Sequence, residues 1–270
     1  MTVVVATAAP DGLVLASDGR TTLRNGRRHR IASDHTRKVF APFPRIGIAT
    51  YGAALLSDQT IAGHMEKFAA TNATLDGAPI EATCRELSRY FTDLLEEQAT
   101  AVGREPPTGV LGFVVAGYDE DGVGRIYDVL LPTPENAADP VVPHQDLSTR
   151  QPGHMFRGQV QHARRLFEGY DVDALARSDV QLGDAVTHEL ERLRYRMNAP
   201  LSLQEAVDLA VFVVRLTIDM DRLSDGTFAE PEGVPVCGGA MQVLLINAKG
   251  SSWILQPRLR PGQAGVGEAG

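Results

Sequence analysis

The chain has 270 residues, 43% hydrophobic and 22% charged, enough for a sizeable core in one domain, expected over residues 2–258. Its formal net charge of -8 argues against nucleic acid or an anionic membrane as the main partner, because either calls for a basic surface. Cys84 and Cys237 form no CxxC or Cys/His cluster and no apolar run nears the roughly 20 residues that span a bilayer, so no disulfide framework, metal site or membrane span is signalled and a cytoplasmic protein is expected.

No secretory or transit-type segment precedes Thr2, and aminopeptidase removal of Met1 before so small a residue is expected to leave Thr2 as the mature N-terminus. VVVAT at 3–7 and GLVLASD at 12–18 are short, β-branched-rich runs separated by a Pro-Asp-Gly turn, which predicts a β-hairpin. The basic run RNGRRHR at 24–30 reads as a solvated loop, and a second strand pair is expected at 38–43 and 45–50 with Pro44 in its turn. Helical spacing takes over from Gly52 to Thr71 and again over 84–98, where Leu87, Phe91, Leu94 and Leu95 share a face. His64, on the first of these helices, is expected at the surface or partly packed rather than as a ligand. Strands return at 109–131 around a DEDG turn, and 132–154, rich in Pro, Asp and polar residues, reads as a long surface loop with at most a short strand. Helices are expected at 158–168, 180–196 and from Ser202 onward, where Glu205 completes a capping box. A C-terminal hairpin and a disordered tail at 259–270 end the chain. Strand pairs separated by helix pairs depart from strict βαβ alternation and predict stacked sheets with helices outside.

GxxxxGK[ST], GxGxxG, HExxH and GxSxG are all missing, which removes the common nucleotide, dinucleotide, zinc-protease and α/β-hydrolase readings. The chemistry of the first 54 residues is suggestive. A threonine hydroxyl needs a base, and an α-amine with a reference pKa of about 7.7–8.0 can serve, so an N-terminal Thr2 would carry nucleophile and base together. A nearby ammonium, Lys38, would lower that amine's pKa, with Asp18 holding the lysine charged and oriented. T-Y-G-A at 50–53 is expected to open the first helix, offering the N–H of Tyr51 or Gly52 to an oxyanion. Cys84 and Cys237 read as small buried residues, and Gly238-Gly239 as backbone adaptation before a strand or a close approach to substrate.

TVVVA, LASDGRTT, TRKV and GIATYGAA, in that order and at those intervals, resemble a proteasome β-subunit and its bacterial relatives, including the ancestral β-subunit group. The resemblance implies an α+β four-layer αββα sandwich of the N-terminal nucleophile hydrolase type. It implies a cofactor-free threonine endopeptidase and self-assembly into rings or spirals, and it leaves room for an unfoldase partner. Residue by residue it maps the nucleophile, Asp and Lys onto Thr2, Asp18 and Lys38. The substrate-binding positions fall on Thr22, Ala49 and Ala53, and the small alanines imply room for a bulky or acidic side chain before the cleaved bond. Further on, the helix ending DRLSDG resembles the family's RDxxSGG motif, which sets Asp221 and Ser224 beside the nucleophile's amine. Two departures stand out: Arg157 where the family has a serine near the threonine, and Asp225 where it has glycine. They keep open a second reading, a catalytically silent assembly subunit, beside a third, an amidohydrolase of small amides.

Overall fold

The computed structural model describes residues 2–25, 28–101, 103, 111–131, 141–171, 175, 182–195, 200–225 and 234–256. One sheet has the order β12-β1-β2-β13-β14, built from Val3–Ala9 (β1), Gly12–Ser17 (β2), Gly153–Gly158 (β12), Gln242–Asn247 (β13) and Gly250–Leu255 (β14). The other has the order β11-β10-β9-β6-β5, from Val39–Phe43 (β5), Ile46–Gly52 (β6), Leu111–Tyr118 (β9), Gly124–Leu131 (β10) and Val141–Ser148 (β11). Helices α1 (Ile61–Thr71) and α2 (Ile80–Ala101) cover the second sheet, while α3 (Gln161–Glu168) and α5 (Leu203–Leu223) cover the first, with α4 (Asp184–Arg192) between them in sequence. This is the expected αββα stacking.

The strand sequences explain the layering. β1 is buried along its whole length, because a central strand with both faces covered reads as a continuous apolar run rather than an alternation. Its faces still separate with period two: Val3, Val5 and Ala9 join the core under α5, and Val4, Ala6 and Ala8 join the core between the sheets. β9 does the same, with Leu111, Phe113 and Val115 under the α2 face and Val114 and Ala116 toward the other sheet. On α2 the buried Ile80, Cys84, Leu87, Phe91 and Leu95 recur at helical spacing. α5 presents Ala206, Ala210 and Val213 inward, side chains small enough for Thr7 Oγ1 to donate to the Ala206 carbonyl at 3.1 Å.

Several expectations need correction. The described residues of the basic run at 24–30 are strand and not loop: Thr21–Asn25 (β3) pairs antiparallel with Arg28–Ser33 (β4). The first helix starts nine residues after Gly52, at Ile61, because Leu55–Leu56 (β7) and Gln59–Thr60 (β8) form a tight hairpin, turning through Ser57 and Asp58 at positive φ, and the Thr60 side chain caps the helix at Gly63 N–H. Residues 141–148 form an eight-residue strand inside the expected loop, and β12 follows it at 153–158. His64 is buried, with Nε2 2.9 Å from the Leu56 carbonyl. The two N-terminal hairpins, the 202–205 capping box and the C-terminal hairpin stand as read. The expected tail at 259–270 lies outside the described residues, and no described helix is long and apolar enough to cross a membrane.

Candidate active site

Thr2 is buried where it leads into β1, and with Lys38 it lines a cavity of about 310 Å³ whose walls include Thr22, Thr50, Tyr51, Gly52 and Ala53. Asp18 stands behind Lys38 immediately after β2, fully buried. Its Oδ1 accepts from Lys38 Nζ at 2.8 Å and from Val3 N–H at 3.2 Å, and its Oδ2 from the N–H groups of Gly238 at 3.0 Å and Arg20 at 3.1 Å. A buried carboxylate ringed by a cation and backbone donors is held in one orientation, and it holds the lysine in turn. The Lys38 backbone is fixed independently: Gln242 Oε1 accepts from the N–H groups of Lys38 at 2.9 Å and Val39 at 3.1 Å, while Gln242 Nε2 donates to Thr36 O at 2.7 Å.

Residues 236–240 form a strap between two buried carboxylates. Gly238 donates to Asp18, and Asp221 Oδ2 accepts from Cys237 N–H at 2.7 Å and Val236 N–H at 3.2 Å. The glycine pair at 238–239 therefore serves the backbone and not substrate: a Cβ on Gly238 would press on the Arg20 guanidinium, and one on Gly239 on the Asp34 carbonyl. Arg20 itself is occupied, pairing with Asp34 through Nε at 2.6 Å and NH2 at 3.2 Å. Cys84 and Cys237 are buried as expected, and burial pushes both thiols well above their ordinary range.

The structure separates the sequence-derived residues into two groups. Thr2, Thr22, Lys38, Tyr51, Gly52 and Ala53 share the cavity, with Asp18 directly behind. Thr22 Oγ1 is buried there and, among the described residues, has no hydrogen-bond partner. Ala49 does not belong to the wall. It packs in the core between the sheets, because alternate residues of β6 face opposite ways and the neighbouring Thr50 takes the cavity side. The Asp221 carboxylate is buried and bonded on both oxygens. Oδ1 lies 3.2 Å from His162 Nε2 and Oδ2 is taken by the strap, so Asp221 reaches the site through 236–238. Ser224 closes α5, its N–H donating to Met220 O at 2.9 Å, and Asp225 is exposed just beyond.

The expected helix opening at 50–53 is likewise corrected. Tyr51 and Gly52 end β6, Gly52 at φ 94°, so any oxyanion donor here is a strand-end N–H without a helix dipole behind it. The Tyr51 side chain turns inward, its hydroxyl donating to Asp128 Oδ1 at 2.9 Å, and Arg157 Nε donates to Asp128 Oδ2 at 2.6 Å. Burial and the Asp128 carboxylate push the Tyr51 hydroxyl well above a phenol's ordinary range, so it remains a donor. Beside Arg157, Gly158 at φ 79° passes so close to Thr2 that a Cβ would run into the Thr2 carbonyl, and Gln159 N–H donates to that carbonyl at 2.7 Å.

Sequence reasoning passed over Gln242, His162 and Asp128. Gln242 and Asp128 carried a usable signal, Gln242 opening a largely apolar strand and Asp128 lying between the apolar Tyr127 and Val129, where a shielded polar side chain must have partners. His162 sits on a short polar helix and carried none.

Comparison with curated proteins finds no match. The proteasome subunit family model matches residues 2–131, which carry Thr2, Asp18, Lys38, Tyr51 and Gly52. Over that stretch the chain is proteasome subunit-like in sequence, and the α+β sandwich is consistent with a proteasome β-subunit-like fold.

Proposed function

We propose that the protein is a threonine peptidase acting through the mature N-terminal Thr2, as one hydrolase domain over residues 2–258. The observation that carries this reading is the buried Asp18–Lys38 ion pair, whose lysine shares with Thr2 the wall of the cavity while the carboxylate stands directly behind. In this mechanism Met1 is removed and Thr2 Oγ attacks the scissile carbonyl. The freed α-amine takes the hydroxyl proton and returns it to the leaving amine. Lys38, fixed by Asp18 and Gln242, disfavours a second positive charge on that amine and keeps it a base. The N–H of Gly52 or Tyr51 receives the developing oxyanion, and water then releases the acyl group from Thr2. Thr22, which lines the cavity, is assigned to binding an extended peptide. Arg157, which stands where the family has a serine, has its guanidinium engaged by Asp128.

The test is intact mass before and after a peptide epoxyketone, which closes a ring with both the hydroxyl and the free amine of an N-terminal threonine. Loss of Met1 and one adduct per chain, absent in Thr2→Ala, are expected. Retained Met1, or a free Thr2 that never reacts, would sink the reading.

Specificity follows from the wall. Arg20, Arg37 and Lys38 contribute to it along with threonines and alanines, and no carboxylate does so among the described residues. A basic side chain would be desolvated there without an anion to meet it. Fluorogenic peptides with Lys or Arg before the cleaved bond are expected to be cut slowest, and fastest cleavage after them would contradict the assignment of this cavity to substrate. Assembly into a ring or spiral, an unfoldase partner and a cytoplasmic location complete the proposal, following the family likeness.

A further inference from the structure

Arg157 and Tyr51 lie on different sheets, yet one carboxylate joins them. Asp128 on β10 accepts from the Tyr51 hydroxyl of β6 through Oδ1 and from Arg157 Nε of β12 through Oδ2, and Arg157 NH1 donates to the Phe156 carbonyl at 2.9 Å. The Asp128 and Arg157 side chains are 16% and 28% exposed, so the pairing is shielded enough for charge-assisted bonds to hold their geometry. The Tyr51 ring is pressed onto β9 at Gly112, where a Cβ would overlap it. Each end of the bridge is one residue from the proposed chemistry. Gly52 follows Tyr51 and faces the cavity. Gly158 follows Arg157 and abuts the Thr2 carbonyl, which Gln159 N–H then holds at 2.7 Å.

β6 and β12 belong to separate sheets, so no ladder hydrogen bond sets the distance between the strand end offering an oxyanion donor and the strand contacting the nucleophile. Facing sheets meet through side chains about 10 Å apart and can slide, whereas an oxyanion donor must sit within about 0.5 Å of its working position. We infer that Tyr51, Asp128 and Arg157 form a positioning cluster that sets the spacing between the Gly52 N–H and Thr2. This inference rests on the threonine-nucleophile reading. The three side chains touch no reacting atom; they act through Gly52 and Gly158.

Tyr51→Phe is the cleanest probe, because it keeps the ring and the Arg157–Asp128 pair that joins the sheets and removes only the bond that ties Tyr51, and so the strand end at Gly52, to that pair. Active sites are first titrated with peptide epoxyketone, so that misfolded chains drop out of every later figure. Per titrated site, kcat is expected to fall about tenfold with KM within twofold, and Ki for a peptide aldehyde, whose hemiacetal oxygen mimics the oxyanion, to rise by the same factor. Arg157→Met is expected to behave likewise and Arg157→Lys to recover part of the loss. Unchanged per-site kcat and aldehyde Ki in both Tyr51→Phe and Arg157→Met would overturn the cluster's role while leaving the nucleophile reading intact. A wild type that takes up no epoxyketone would overturn both.

Discussion

Asp18→Ala is expected to destabilise the fold by about 3–5 kcal/mol and to reduce turnover on the order of a thousandfold or more, whereas Lys38→Met is expected to cost only about 1–3 kcal/mol with an equal loss of turnover. The asymmetry lies in what each variant leaves behind. Without Asp18 the Lys38 ammonium is buried with no anion, and the N–H groups of Val3, Arg20 and Gly238 lose their acceptor together. Without Lys38 the carboxylate still accepts from all three N–H groups, so its charge stays solvated by the backbone. Urea denaturation midpoints of the two variants, set beside peptide hydrolysis per folded chain, separate the roles. Equal loss of stability would show that the backbone donors contribute little. Turnover preserved in either variant would remove the ion pair from the mechanism.

Gly158→Ala is expected to lower kcat per active site about a hundredfold while the fold survives. Two costs fall on this position. A non-glycine residue at φ 79° pays about 1–2 kcal/mol for the left-handed conformation, and the new Cβ must displace the Thr2 carbonyl from its bond to Gln159. Displacing a nucleophile by about 1 Å can cost a hundredfold in rate. Gly77→Ala isolates the first cost, since Gly77 has φ 84° with nothing within 4 Å of a built Cβ. It is expected to lose about 1–2 kcal/mol with per-site turnover unchanged. If the two variants lose turnover alike, close approach to Thr2 is not what Gly158 provides.

What could be read from the sequence followed from local signals. The Pro-Asp-Gly turn, the Ser202–Glu205 box and the double-sided apolar runs each dictate an element with little help from distant residues, and they were legible. Thr2, Asp18 and Lys38 were legible as a set because order and spacing along two hairpins carry over into space. The misreadings arise where tertiary partners decide. Apolar residues at 55–68 fit a helix, yet Ser57 and Asp58 accept positive φ and Thr60 supplies the cap, so the helix starts late. Ala49 and Thr50 are neighbours in sequence on opposite faces of a strand, and only the register of β6 in its sheet says which one meets the cavity. Asp221 and Arg157 depend on His162 and Asp128, partners 59 and 29 residues away, which no local pattern announces.

The brace that Gln242 provides has a consequence in time. Its bond to Lys38 spans 204 residues and that of Gly238 to Asp18 spans 220, so the groups proposed for catalysis, made first, are locked by segments made near the end. At about 5–20 residues per second, Gln242 is joined to the nascent chain roughly ten to forty seconds after Lys38. Contacts of such long range form late in folding. Throughout that interval Lys38 exists without its brace, so under the proposed mechanism the nascent chain carries no assembled site. The delay is written into the strand order.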